Sequence, residues 1–189
     1  MSKKLVAYFS ASGQTERLAK TLSEAIGADL FEIVPEQKYT DEDLNWQNSS
    51  SRSSVEMKDR SARPAISSKI ANISVYDVVF VGFPIWWYRE PSIIDSFIEL
   101  YDFAGKTIVP FATSGGSGMG DSSANIQALA PKAMVAEGRR FASASNAKEL
   151  KNWSDKLCKS FSKCCPALEK IKKTTFFAQK SLIFQIVRL

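Results

Sequence analysis

The chain has 189 residues, 44% of them hydrophobic, enough for one domain to bury a full core without disulfides or metals. It contains no histidine, which excludes Ser-His-Asp and Cys-His hydrolases, His-ligated zinc enzymes and phosphohistidine carriers. The net charge of +5 comes from one end: residues 158–189 carry seven basic side chains against Glu169 alone, leaving residues 1–157 at −1. That body lacks the basic, aromatic-interleaved face of a nucleic-acid binder, so no nucleic-acid partner is expected.

All three cysteines, Cys158, Cys164 and Cys165, fall in the basic end. An odd number with an adjacent pair is a poor disulfide framework, and three thiols without histidine fall short of a structural zinc site, so no metal is assigned. A reducing compartment fits this usage. Met1-Ser2-Lys3-Lys4 runs into an apolar segment with no signal-peptide core, and no apolar stretch reaches the ~18 residues of a transmembrane helix. A cytoplasmic protein without a transmembrane segment is expected.

The elements alternate. Leu5–Phe9 is nearly all apolar, as in a strand covered on both faces of a parallel sheet. Ser10 to Gly13 breaks it, and Leu18, Leu22, Ala25 and Ile26 then recur at helical spacing from Gln14 to Ile26, with Gly27 as a C-cap. Leu30–Val34 reads as a second strand stopped by Pro35. Tyr39 to Pro64 is polar and serine-rich with no usable period, and is expected to be a long surface insertion. Tyr76–Phe83 is the strongest strand. Pro91 suits the first position of a helix whose apolar face is Ile93, Ile94, Phe97, Ile98 and Tyr101. Lys106–Ala112 is a fourth strand, Ser122–Leu129 a helix, Val135 to Phe141 a fifth strand and Ala147–Leu157 a last helix. This alternation means βαβ units, an α/β fold and a parallel sheet with helices on both faces.

In such a sheet ligands bind beyond the carboxyl ends of the strands, and three loops there are unusual. The first, Ser10-Ala11-Ser12-Gly13-Gln14-Thr15, places three hydroxyls and a glycine before a helix, where free amides and the helix dipole favour an anion. Helix capping alone would explain it equally well. It lacks both the Walker lysine and a GxGxxG pattern, which favours a phosphomonoester over a triphosphate or a dinucleotide. The second, Pro84 to Pro91, holds Trp86, Trp87 and Tyr88 in a row; these cannot all enter one core, so at least one is free to stack on a flat ligand or on a partner. This loop contains no glycine, and positive φ is unfavourable for residues as bulky as Trp87 or Tyr88. The third, Thr113 to Gly120, has Gly115, Gly116, Gly118 and Gly120, which let backbone amides approach a ligand. Together the loops select a flat aromatic ligand carrying one phosphate.

With its Pro84-Ile85-Trp86-Trp87 and Thr113-Ser114-Gly115-Gly116-Ser117-Gly118 loops, the chain resembles the flavodoxins from about Lys4 to Leu157. The segments Asp43-Leu44-Asn45-Trp46 and Arg63-Pro64 also resemble the subgroup that carries these loops. The resemblance implies a flavodoxin-like three-layer doubly wound sandwich, with a five-stranded parallel sheet of order 2-1-3-4-5. It implies FMN as cofactor, its phosphate held by Ser10, Ser12, Gly13, Gln14 and Thr15. Pro84, Ile85, Trp86, Trp87 and Tyr88 would flank its ring, with Thr113, Ser114, Gly115, Gly116 and Gly118. The implied role is electron transfer with a redox partner protein or an NAD(P)H reductase, the alternative being an NAD(P)H-dependent FMN oxidoreductase of the quinone-reductase kind. A receiver-type signalling domain is set aside because Ser10 stands where that class needs carboxylates for Mg²⁺. No side chain is assigned as catalytic, since a flavin carries its own chemistry. Residues 1–157 are expected to form the FMN-binding domain. The extension 158–189, basic, with an apolar run at Leu182–Phe184 and of unassigned role, is expected to pack as an extra helix or strand on that domain or on a dimer mate, the alternative being contact with a membrane surface; the chain is expected to be a monomer or a homodimer.

Overall fold

The computed structural model describes residues 2–164. Its elements in chain order are β1 (Lys4–Tyr8), α1 (Gln14–Ile26), β2 (Asp29–Glu32), α2 (Arg52–Lys58), β3 (Val78–Pro84), α3 (Ser92–Leu100), β4 (Thr107–Thr113), α4 (Ser122–Leu129), β5 (Met134–Val135), β6 (Arg139–Phe141) and α5 (Ala147–Cys164). The last helix runs past the expected stop at Leu157. Lys151 closes the first of two units of the chain, and Asn152, within α5, opens the second. Cys165 and the apolar run at Leu182–Phe184 lie outside the described residues.

All strand pairs of the sheet are parallel, in the order β2-β1-β3-β4-β5, with β6 also paired to β4. The fifth position is thus shared by two short strands. Ile108 pairs with Val135 and Phe111 with Arg139, so the edge carries one residue more than β4 between these points. Pro110 lies in that interval. The carbonyl of Ile108 accepts from the Ala136 amide, so even-numbered positions of β4 face the edge, and Pro110 has no N–H to offer there.

Both faces of the sheet are covered. Leu5, Ala7, Val79, Val81, Phe83, Ile108 and Ala112 form one core cluster with Ile93, Ile94, Phe97 and Ile98 of α3 and Ile126 of α4. The alternate residues Val6, Tyr8, Phe80, Val109 and Phe111 are buried as well, and α1, with buried Leu18 and Leu22, packs against β1 to β4. Gly27 ends α1 in the left-handed conformation, as expected. Pro91 stands at the N-cap of α3, one position earlier than expected.

The segment from Glu36 to Ala65 has more order than its composition suggests. Its ends meet, with Glu36 N–H bonded to Ala65 O, Ser67 N–H bonded to Val34 O and a bridge between Pro35 and Ile66. Inside it, the Ser51 hydroxyl caps α2 by accepting from the Ser54 amide, and Met57 is buried. Tyr39 donates its hydroxyl to Glu56, and Arg52 reaches the same carboxylate at 2.7 Å while lying over the Tyr39 ring. The expectation of a periodless insertion is corrected: capping and one buried face suffice for a two-turn helix too short for a hydrophobic period to show.

Gly82 in β3 is dictated by packing. A Cβ there would stand 2.3 Å from the Phe111 ring, which crosses the strand at that point. Gly82→Ala should cost about 1–3 kcal/mol through overpacking and lower the thermal midpoint, as read by denaturant and thermal unfolding. An unchanged midpoint would contradict this contact.

Candidate functional site

Because the strands are parallel, the loops after β1, β3 and β4 emerge at one end of the sheet. In the first, the Phe9 amide remains tied to Gly82 O of β3, which carries the loop one residue beyond β1. The Ser10 hydroxyl is buried and finds no hydrogen-bond partner among the described residues. Gly13, at φ 78°, is the N-cap of α1, so no side chain serves the first helical amides. Ser12, Gly13 and Gln14 are exposed. Thr15 is buried, and its Oγ1 lies 2.8 Å from Oγ1 of Thr113, which joins the first loop to the third. Two hydroxyls hold two protons and their mutual bond uses one, so the other remains available to an anion.

The second loop departs from expectation. Trp86 and Arg89 exchange two backbone hydrogen bonds of 2.9 and 3.0 Å, closing a two-residue turn over Trp87 (φ 43°) and Tyr88 (φ 65°). Both bulky residues are left-handed, the backbone of a type I′ turn, which normally takes Asn and Gly. Both thus adopt the conformation that is unfavourable for residues of their bulk. The unfavourable conformation, about 1–2 kcal/mol per residue, is over-determined by surrounding contacts. Trp86 stands edge-on to Phe9 at 5.7 Å and to Tyr39 at 5.3 Å between ring centroids. The Tyr88 carbonyl accepts from the Asp121 amide at 3.3 Å. Of the three aromatics, Trp86 turns toward the core while Trp87 and Tyr88 remain outside.

In the third loop the Ser114 hydroxyl donates to the Ser117 carbonyl. Gly120, at φ 51°, could not carry a side chain, since its Cβ would lie 1.7 Å from the Tyr88 carbonyl oxygen. Gly115, Gly116 and Gly118 face open space, which leaves their backbone approachable. The Ile85 amide bonds to Thr113 O at 2.9 Å, so the second and third loops leave the sheet as a stitched pair.

These loops border a cleft of about 430 Å³ lined by Ile85, Trp86, Trp87, Tyr88 and Ser117, with Leu44, Trp46 and Ser53 of the insertion. The structure thus brings the second and third loops onto one cavity and ties the first to them through Thr15 and Thr113. Ser10 borders a separate hollow of about 200 Å³ with Phe9, Glu32 and Lys38 among its walls. The insertion's contribution was missed from sequence. The available signal was the pair of apolar residues, Leu44 and Trp46, in a mostly polar stretch.

Also missed was a buried charge cluster at the foot of the turn. The Arg89 guanidinium donates to Glu90 at 3.0 Å, to Asp95 at 2.9 Å and to the Ser92 hydroxyl at 3.1 Å, and all four residues are buried. Asn125 of α4 donates to Glu90 at 3.1 Å, and Ser92 donates to the Glu56 carbonyl of α2. Charged residues between a buried strand and an apolar helix were the available signal. Burial pushes the Glu90 carboxyl above its ordinary range, and the nearby Asp95 charge adds to this, against the opposing pull of a backbone hydrogen bond and of Arg89.

The sequence profile of flavodoxin matches residues 3–157. The chain belongs to the flavodoxin family. A candidate flavoprotein from Bacteroides eggerthii DSM 20697 has a crystal structure similar to this flavodoxin-family chain, with a TM-score of 0.78 and 52% identity, over 82% of this chain and 97% of that one. One from Bacteroides uniformis ATCC 8492 is 45% identical, with a TM-score of 0.77, over 82% and 98% of the two chains. A Lactobacillus acidophilus flavoprotein solved in complex with FMN shares the fold at 21% identity and a TM-score of 0.63, over 82% and 99%. A search of curated proteins finds no match. Among the described residues no helix is long and apolar enough to cross a membrane, and no cluster of ligating side chains could hold a metal.

The state of Glu90 has a testable consequence. A carboxyl raised in the native state holds its proton more tightly when folded, so its ionisation costs stability. That cost is absent below the unfolded value near 4.5 and grows as pH rises until the native value is passed. Glu90→Gln cannot ionise and should gain on the parent as pH rises from 4.5, measured by urea unfolding across a pH series. A difference that stays constant with pH would show that Glu90 is not shifted.

Proposed function

We propose that the chain binds FMN and passes electrons through it as a flavodoxin, in the cytoplasm, exchanging them with a redox partner protein or an NAD(P)H-dependent reductase. The observation that carries this is the junction of the first and third loops. The first loop carries a buried hydroxyl at Ser10 without a partner among the described residues and a helix start at Gly13 without a capping side chain, and the Thr15–Thr113 hydroxyl pair ties it to the third loop, whose Ser117 lines the aromatic-walled cleft. This donor set fits a phosphate dianion, which accepts from amides and hydroxyls and is favoured at a helix N-terminus.

Ser10, Ser12, Gly13, Gln14 and Thr15 hold the phosphate. Pro84, Ile85, Trp86, Trp87 and Tyr88 form one wall for the ring, and Thr113, Ser114, Gly115, Gly116 and Gly118 offer it backbone and hydroxyl groups. Bound FMN supplies the redox chemistry, and the protein supplies orientation and the exclusion of water. Trp87 and Tyr88, held in a stitched turn, offer preorganised aromatic faces.

Isothermal titration with FMN, FAD and riboflavin tests the reading. FMN should bind tightest, because riboflavin has no phosphate for the first loop. Thr15→Val, which removes the first loop's hydroxyl from the pair, should weaken FMN by about 1–3 kcal/mol while leaving riboflavin nearly unchanged. Riboflavin binding as tight as FMN would remove the phosphate assignment.

We also place FMN binding within residues 1–157 and treat 158–189 as an extension. A chain ending at Leu157 should purify yellow and retain FMN affinity. A folded but colourless truncated protein would show that the extension takes part in binding.

A further inference from the structure

At the root of the Trp87–Tyr88 turn lies the buried charge cluster, which the flavin reading does not use. Arg89, Glu90 and Asp95 are 3%, 0% and 4% exposed, so one cation stands among two carboxylates out of reach of bulk water. The same Arg89 Nη1 donates to Glu90 at 3.0 Å and to Asp95 at 2.9 Å. One guanidinium compensates one carboxylate, and a second buried charge without compensation costs so much that the group binds a proton instead.

The neighbours decide which carboxyl takes that proton. Asp95 has a second cation, with Arg63, itself held by Glu99, standing 3.9 Å from it. Glu90 has its share of Arg89 and the amide of Asn125, whose Nδ2 lies 3.1 and 3.4 Å from its two oxygens. Turned over, that amide presents Oδ1 to a Glu90 O–H, so Asn125 can hold carboxylate and carboxyl in the same place. Asn125 is half-buried and marks the route from water to the cluster. The other elements around Glu90 bring no further charge to it among the described residues. Helix α4 contributes Asn125, with Asp121 exposed at its N-cap, and α2 reaches the cluster by the Glu56 carbonyl, the Glu56 carboxylate being bound by Tyr39 and Arg52. Burial and the Asp95 charge accordingly hold the Glu90 carboxyl above its ordinary range.

Backbone joins this cluster to the flavin end. Arg89 closes the two-residue turn with Trp86, and the Tyr88 carbonyl accepts from the Asp121 amide, one helical turn before Asn125. Glu90 follows Tyr88 by two positions, so charge arriving at the ring wall acts on it from nearby, through protein rather than through water.

We infer that Glu90 is a proton-binding site linked to the redox state of the ring beside the turn: electron entry draws one proton from water onto its carboxylate, and electron departure releases it. One electron passes from the redox partner to the flavin and one proton from an acid in solution to Glu90, where an O–H bond forms, so the charge of the site is unchanged. The inference rests on the flavin reading and adds to it a group that steadies the charge behind the ring wall.

Infrared difference spectra of the FMN-loaded, full-length chain, reduced against oxidised, test this, with FMN uptake measured first. Reduction should raise a protonated-carboxyl band that shifts when glutamate is labelled with carbon-13, which separates it from the flavin carbonyls. The band should vanish in Glu90→Gln, and the midpoint potential of that variant should fall less steeply with pH than the parent's in a window above 4.5, the ordinary glutamate value. Glu90→Asp serves where the Gln variant does not fold: its band should no longer follow the glutamate label. A parent without a glutamate-labelled band, a labelled band that persists in Glu90→Gln or Glu90→Asp, or potentials of equal slope would overturn the inference while leaving FMN binding in place. A chain that takes up no FMN would overturn the flavin reading, and this inference with it.

Discussion

The constraint on which the functional end depends is the burial of one guanidinium. Arg89 leaves water only because Glu90, Asp95 and Ser92 meet it, and each of these stands on or beside a different piece of the architecture. Glu90 reaches Asn125 of α4, Asp95 lies in the first turn of α3, and Ser92 reaches back to the insertion through the Glu56 carbonyl. A buried charge is costly unless every neighbour is in place, so this cluster is sensitive to the relative placement of turn, insertion and both helices. The left-handed Trp87–Tyr88 backbone is thereby held at its C-terminal end, while the Trp86 ring holds it at the other. Strain in the turn is sustained by order around it.

The same economy governs the third loop. Tyr88 offers its carbonyl outward, and Gly120 passes so close to it that no side chain fits. The second loop thus constrains the third through this backbone contact. Thr15 and Thr113 make the corresponding link to the first loop through two hydroxyls. Three loops distant in sequence become one surface with few side-chain contacts between them.

How far this could be read from the residues depended on the range of the interaction. The helix from Gln14 to Ile26 was legible to its last residue, because its period, its glycine start and its glycine stop are all local. The helix from Ser122 to Leu129 and the strand order were legible as well. The break in the edge strand was not, because its cause, the missing N–H of Pro110, lies on the neighbouring strand. Helix α2 escaped notice because seven residues are too few for a period and its stability comes from a Ser51 cap and from Tyr39, Arg52 and Ser92 partners. In the candidate site, the glycines and aromatics marked the three loops that leave one end of the sheet. The positive φ at Trp87 and Tyr88 ran against residue preference and could be imposed only by tertiary contacts. Trp46 stood out in the sequence only as part of the resemblance and Ser53 only as one serine among several, until the fold placed them on the same cavity as Trp87.

The pairing of Pro35 with Ile66 sets the insertion apart from the rest of the chain. Since Val34 and Ser67 are hydrogen-bonded neighbours, the sheet experiences the whole segment from Glu36 to Ala65 as a tight turn, whatever it contains. Closing a loop at a fixed point costs little more as the loop lengthens, so such a segment can be rebuilt, lengthened or exchanged while the strands keep their register. The cleft wall at Leu44 and Trp46 can in this sense change, provided that Tyr39 and the Glu56 carbonyl, which brace the opposite wall, stay in place. What the cleft accommodates can therefore change through a single contiguous stretch of chain. The same stretch is the natural place to graft a new specificity.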